Sequence, residues 1–146
     1  SDVAFIINDS VEIAKKVGAD GVHIGQEDLR YKEAREILGS NHIIGVTCHD
    51  SKHLAMSAGE QGADYVAFGA FYPTTTKITT RVATPELLNW WQDLFEIPCV
   101  AIGGINAENA ASIADAGADF LAICSGVWDY PKGPRAAVKK LNQLIK

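Results

Sequence analysis

A chain of 146 residues and 15.7 kDa is one domain's worth of polypeptide, and its 47% hydrophobic content supports a packed core. Acidic side chains outnumber basic ones 18 to 13, leaving a net charge of −5 and a pI near 5.3. That balance argues against nucleic acid or an anionic membrane as a general partner, so any anion site has to be local. No apolar run reaches membrane-spanning length, and the first residues lack a basic-then-apolar leader pattern. Cys48, Cys99 and Cys124 have neither CxxC nor zinc-finger spacing. Two of them fall in apolar strand-like runs, where cysteine acts as a small hydrophobe, and all three are read as reduced thiols of a cytoplasmic protein. The chain opens with Ser-Asp-Val and enters a strand almost at once, so an upstream piece is expected.

In chain order, residues 3–7 form an apolar strand that ends at Asn8-Asp9. Ser10 then suits the N-cap of a helix over 11–17. A second strand, 21–24, ends in Gly25-Gln26-Glu27-Asp28, and a helix over 30–38 stops at Gly39. A third strand, 43–47, is followed by Cys48-His49-Asp50, and a helix over 51–61 starts at Ser51. The fourth strand, 65–68, leads into Gly69, Pro73, the threonines 74–76 and Lys77. Thr84-Pro85 opens a helix to about residue 95 by N-cap and Pro-at-N1 logic. The fifth strand, 99–102, ends in Gly103-Gly104-Ile105-Asn106, a helix covers 107–116, and the sixth strand, 120–124, ends at Ser125-Gly126. A last helix covers 134–145.

Gly-Ala-Asp occurs at 18–20, 62–64 and 117–119, each time after a helical segment and before an apolar run: GVHIG, YVAFG and FLAIC. A glycine just past a helix end, then a short loop into a strand, repeated three times, predicts a parallel sheet with helical crossovers. Six such units fit either an open doubly wound sheet or a (β/α)8 barrel lacking two units. Neither GxGxxG nor a P-loop is present. Polar residues follow every strand at its C-terminal end, and this favours a TIM barrel with its site on that face.

Those strand ends suggest chemistry. Thr74, Thr75, Thr76 and Lys77 offer hydroxyls and an ammonium to a phosphate or pyrophosphate, though a plain solvated loop has the same composition. Asp9 and Asp28 follow consecutive strands and suit Mg²⁺; taken alone they read first as helix N-terminal acids. Gly103-Gly104 and Ser125-Gly126 end the last two strands and favour a phosphate cradle over mere tight turns. His49 suits an acid or base but reads first as a loop histidine bonded to backbone. His23 is read as a satisfied interior or wall residue. Trp90-Trp91 with Leu87, Leu88 and Leu94 forms a packing face that also suits a contact in a homo-oligomer. Read from the residues alone, the chain is a Mg²⁺-dependent enzyme handling phosphorylated small molecules.

The segments IIND at 6–9, GVHIGQEDL at 21–29, IIGVTCH at 43–49, GADYVAFGAFYPTTTK at 62–77, VAIGGIN at 100–106 and GADFLAICSGV at 117–127 resemble the thiamine-phosphate synthase family, in that family's order. The resemblance implies a (β/α)8 TIM barrel, of which residues 1–146 are a single partial domain holding about six C-terminal units. It implies a transferase that joins 4-amino-5-hydroxymethyl-2-methylpyrimidine diphosphate to thiazole phosphate and releases pyrophosphate. By motif, Asp9 and Asp28 would hold Mg²⁺ and Asn8 would contact the diphosphate-bearing substrate. Lys77 and Thr47 would act on the pyrophosphate. Thr74 and Thr76, with Gly104 and the strand end at Ile123 and Ser125, would bind thiazole phosphate. Two departures stand out: the family usually has Ser at the position of Thr47, and the family's first two βα units, with their Gln-x-Arg-x-Lys strand, have no counterpart here. Two rivals remain, the related thiazole tautomerase branch with His49 placed as base, and a non-catalytic thiazole phosphate-binding homologue. Retention of Asp9, Asp28 and Lys77 favours the synthase.

Overall fold

The computed structural model describes residues 3–74 and 81–145. Strands and helices alternate as β1 (Ile6–Asn8), α1 (Val11–Val17), β2 (Gly21–Ile24), α2 (Tyr31–Leu38), β3 (Ile43–His49), α3 (Lys52–Gln61) and β4 (Tyr65–Phe68). They continue as α4 (Pro85–Leu94), β5 (Cys99–Ile102), α5 (Ala110–Asp115), β6 (Phe120–Ala122), α6 (Ser125–Trp128) and α7 (Pro134–Leu144). All six strands are parallel and lie side by side in chain order. Right-handed crossovers between strands added always on the same side put every helix on one face of the sheet. A doubly wound sheet must instead reverse direction at a switch point. The strand order therefore selects a partial α/β barrel, with β1 and β6 as its edges among the described residues.

The helix-facing side of the sheet is the core. Val22, Ile24, Ile44, Val66 and Phe68 meet Leu88, Trp91 and Ile113, all essentially without solvent contact. Trp91 is locked there: its ring stacks on Phe95 at 4.1 Å, meets Phe68 edge-on, and its Nε1–H donates to the Ile97 carbonyl at 2.7 Å. Trp90 stays nearer the surface, with Lys52 Nζ 4.5 Å from its ring centre. None of the described helices is long and apolar enough to cross a membrane.

Local chemistry explains both the agreements and the differences. Ser10 and Ser51 cap α1 and α3, accepting from Ile13 N–H and Leu54 N–H at 3.2 Å each. Thr84 sits at the N-cap of α4, but its hydroxyl makes no capping bond; it bonds the Glu86 carboxyl and helps hold that acid below its usual range. The helix expected over 107–116 begins only at Ala110. Asn109 Oδ1 accepts from Asn106 N–H, and Asn106 Oδ1 from Glu108 N–H, both at 2.8 Å, so asparagine turns displace the first helical turn. β1 starts at Ile6 rather than residue 3, because the preceding residues lie exposed at the sheet edge. β3 runs two residues further than expected through a bulge at Thr47/His49. β6 stops at Ala122, and the unexpected one-turn helix α6 follows.

The Gly-Ala-Asp repeat does more than end helices. In each copy glycine takes a left-handed conformation (φ 65, 96 and 102°). The alanine N–H then reaches back to Ala14, Ala58 or Ile113, closing the helix end. The aspartate pairs twice with one residue in, or just before, the preceding strand. Asp64 N–H donates to Ile44 O at 3.0 Å, and Asp64 Oδ2 accepts from Ile44 N–H at 2.8 Å. Asp20 does the same with Phe5, at 2.9 and 2.6 Å. Asp119 does so with Cys99, at 3.1 and 2.8 Å. Asp64 also takes a 2.7 Å ion pair from Arg35, whose guanidinium donates to the Gly39 and His42 carbonyls as well. Asp64→Ala leaves the fully buried Ile44 without the acceptor for its N–H. It should cost about 1–3 kcal/mol in urea unfolding. Asp50→Ala, which removes only an exposed 3.5 Å pair with Arg81, should cost less than about 1 kcal/mol; equal losses would refute the pairing role.

Candidate active site

In a parallel sheet every strand delivers its last residue to one rim. Here that rim gathers Asn8 at the end of β1 and Asp9 after it, Asp28 after β2, Thr47 and His49 at the end of β3, and the 69–74 segment with Thr74 after β4. Gly103 and Gly104 follow β5, and Ile123 and Ser125 follow β6. Thr76 and Lys77, assigned to the site from sequence, lie outside the described residues.

Backbone strain concentrates on this rim. The two non-glycine residues with positive φ among those described are Asp9 (66°) and His49 (52°). Such conformations cost on the order of 1–3 kcal/mol each and persist only where surroundings impose them. Asp9 N–H donates to His23 O at 2.8 Å, and His49 O accepts from Gly69 N–H at 3.1 Å, so both are held by the neighbouring strand. The bulge at Thr47/His49 turns the end of β3 and re-aims its side chains.

Asp28 is half-buried, and its Oδ2 accepts from Gly25 N–H at 2.6 Å, which folds the turn after β2 back on the strand end. Asp9 and Asp28 thus follow adjacent strands, and a pair of carboxylates completed by phosphate oxygens and water is the donor set Mg²⁺ takes. Among the described residues no three His, Cys, Asp or Glu side chains form a metal cluster. Asp9 and Asp28, as the acids that follow two adjacent strands, are the residues that could hold such an ion.

Inside the barrel, Asn8, His23, Gly45 and Tyr65 share one register row across β1–β4. His23 bridges two neighbours: Nε2 lies 2.7 Å from Thr47 Oγ1, and Nδ1 lies 2.9 Å from the Tyr65 hydroxyl. The expectation that His23 is a satisfied interior residue agrees with this geometry. Gln26 Nε2 donates to the Thr47 carbonyl at 2.5 Å. A Cβ on Gly45 would fall 1.9 Å from Tyr65 Cζ, so the ring occupies space that only glycine leaves. Burial pushes the Tyr65 phenol up to about 12, and it stays protonated. Tyr65 and Gln26, read from sequence as a strand residue and a strand-end residue, were given no site role there. Period-two alternation was the available signal within each strand, since it sets His23 opposite Val22 and Ile24, and Tyr65 opposite Val66.

The glycines after β5 serve the chain's own loop first. Phe71 N–H donates to Ile102 O at 3.3 Å and Tyr72 N–H to Gly103 O at 3.1 Å, laying the 69–74 segment along the end of β5. Gly104 has φ +67°, and a Cβ there would come within 2.6 Å of the Pro73 carbonyl. Tyr72 and Pro73, just before Thr74, are therefore seated against Gly104. The helix N-terminus expected right behind these glycines is displaced by the 106–109 turn, and only one-turn α6 begins at Ser125. Ser125 lines a cleft of about 390 Å³ with Asn106, Gly126, Tyr130, Lys132 and Lys140.

A family model described as thiamine monophosphate synthase matches residues 1–127. The chain is 60% identical over 145 residues to the thiamine-phosphate synthase of Rhodospirillum centenum, covering 99% of this chain and 70% of that protein. It is 57% identical over 144 residues to the thiamine-phosphate synthase of Hyphomonas neptunium, covering 99% of this chain and 65% of the relative. Among solved structures, thiamine phosphate pyrophosphorylase from Pyrococcus furiosus superposes with a TM-score of 0.88 at 37% identity, over 99% of this chain and 68% of that one. The chain thus spans about two thirds of the length of the relatives it matches.

The thiols differ from their sequence reading. The buried pair is Cys48, inside β3, and Cys99, whereas Cys124 lies past β6 and is exposed. Burial pushes the Cys48 thiol up to about 12 and raises Cys99 as well. Because the thiolate is the reactive form, alkylation of the native protein at a pH of about 8 should label Cys124 and spare Cys48 and Cys99 until urea is added. Peptide mass mapping that found Cys48 labelled in the native state would contradict the assignment.

Proposed function

We infer that the chain, which belongs to the thiamine monophosphate synthase family, carries the rim on which 4-amino-5-hydroxymethyl-2-methylpyrimidine diphosphate is coupled to thiazole phosphate. The observation that supports this most is the position of Asp9, Asp28, Thr47 and the 69–74 segment at the C-terminal ends of four adjacent parallel strands.

The reaction breaks the bond between the pyrimidine methylene carbon and the diphosphate oxygen, and the electron pair leaves with pyrophosphate. The thiazole nitrogen lone pair then forms the new carbon–nitrogen bond, giving thiamine phosphate. The protein's task is to stabilise charge growing on the leaving group and to align the two substrates. Mg²⁺ held by Asp9 and Asp28, when bound, supplies charge neutralisation to the diphosphate. Asn8 contacts the diphosphate-bearing substrate. Thr47 offers its hydroxyl to the pyrophosphate, and Lys77 adds a cation. Thr74, Thr76, Gly104, Ile123 and Ser125 receive thiazole phosphate, and the packing of Tyr72 and Pro73 on Gly104 brings the chain before Thr74 to that end of the sheet. The substrates are small and phosphorylated, and the reading extends to a cytoplasmic enzyme, with the Trp90 face as the place for a homo-oligomer contact.

The assay is direct. The protein as its gene encodes it, given both substrates and Mg²⁺, should form thiamine phosphate and pyrophosphate in equal amounts, and chelation of the metal should stop turnover. Asp28→Asn should lower kcat by about 10²- to 10³-fold, as for loss of one group facing developing charge, with thermal unfolding unchanged. Unaltered kinetics in that variant would sink the metal role. Isomerisation of a thiazole phosphate without pyrimidine coupling would instead favour the tautomerase reading, with His49 as the base.

A further inference from the structure

Tyr65, His23 and Thr47 form a hydrogen-bonded chain across three strands whose polarity matters. A neutral imidazole donates from one nitrogen and accepts at the other. With His23 Nδ1 at 2.9 Å from Tyr65 and Nε2 at 2.7 Å from Thr47, two orders are consistent. In the first, the Tyr65 hydroxyl donates to Nδ1, Nε2–H donates to Thr47 Oγ1, and the Thr47 proton remains for a ligand. In the second, Thr47 spends its proton on Nε2, and Nδ1–H donates to Tyr65. Only the first leaves Thr47 able to donate to an anion.

The surroundings hold the three groups in place. The His23 and Tyr65 rings lie 5.6 Å apart with planes 19° from parallel, and Gly45 supplies the space for the tyrosine ring. Gln26 fastens the Thr47 carbonyl, so the hydroxyl is presented from a fixed backbone. The phenol, being protonated, has a proton to give.

We propose that Tyr65 and His23 are positioning residues that set the Thr47 hydroxyl as a hydrogen-bond donor toward the diphosphate-bearing substrate, in the order Tyr65 to His23 to Thr47. The proposal rests on the assignment of Thr47 to the pyrophosphate. It explains why a tyrosine and a histidine, neither of which is assigned a substrate contact, occupy the barrel interior directly behind that threonine.

Two measurements test it on the protein as its gene encodes it. Nitrogen-15 NMR of the unliganded protein, with His23 identified by its loss in His23→Gln, should show the Nε2–H tautomer; the Nδ1–H tautomer overturns the proposal. In kinetics, Tyr65→Phe keeps the ring but removes its donor. It should lower kcat/KM for the pyrimidine diphosphate about tenfold, the scale of one weakened bond to a charged group, and leave the KM for thiazole phosphate unchanged. In a His23→Gln background, where the amide donates at the Nε2 position without Tyr65, the same change should cost nothing further. Equal losses in both backgrounds, or equal effects on both substrates, would reduce Tyr65 to a packing residue and refute the donor order. Thr47→Val separates the two claims: if it is silent, the pyrophosphate assignment fails and the proposal falls with it. If it is costly while Tyr65→Phe is silent, only the donor order fails.

Discussion

The double hydrogen bond between the aspartate of each Gly-Ala-Asp repeat and one residue at the start of the preceding strand, or directly before it, is the constraint on which the rest depends. A parallel sheet has no hairpins to set its register, since each strand arrives from a long crossover. The aspartates of 20, 64 and 119 supply that register at the point of entry. Each offers its own N–H and its carboxylate to the same partner, Phe5, Ile44 or Cys99. A slip of one residue would turn every side chain of a strand to the opposite face. Val22, Ile24, Ile44 and Val66 would then leave the helices, and His23 and Thr47 would leave the barrel interior.

The same register that buries the apolar face lines up the polar one. Asn8, His23, Gly45 and Tyr65 lie in one row because three successive strand pairs are in step, and Thr47 sits two residues beyond Gly45 on the same face. The end at which the strands begin is thus occupied by helix closures and aspartate pairs. The upper end holds the costly features: two left-handed non-glycine residues, a bulge, and a loop pressed against glycines. The strained geometry stands where the strands end.

The repeat, the alternation of helix and strand and the serine caps at Ser10 and Ser51 were legible in the sequence because each depends on neighbours within about five residues. So were Asp9, Asp28 and Thr47 as rim residues, since a strand end is visible locally. Other features were not. The turn at 106–109 forms because the Asn109 side chain accepts from Asn106 N–H and the Asn106 side chain from Glu108 N–H, and the residues 107–109 have unremarkable helix propensity. Cys124 read as a buried strand residue because its apolar neighbours continue past Ala122, where pairing with β5 has already ended. Gly103 and Gly104 looked like a ligand cradle, yet their first requirement is contact with Tyr72 and Pro73, some thirty residues earlier, and nothing local announces that partner.

By itself, the sequence determined the parallel α/β class, the order and spacing of the elements, the end of the sheet that carries the polar residues, and the family through motifs kept in order. These follow from local periodicity and from short segments whose chemistry is read in place. Two outcomes belonged to the tertiary structure. Whether six βα units form a doubly wound sheet or part of a barrel depends on the side on which each strand joins its predecessor. Only the pairing β1 through β6 in chain order decided it. Whether Thr47 stands alone or is held by His23, Tyr65 and Gln26 depends on side chains from three strands meeting within hydrogen-bond distance. Both are set by register between segments far apart in the chain, a quantity that no local pattern of residues encodes.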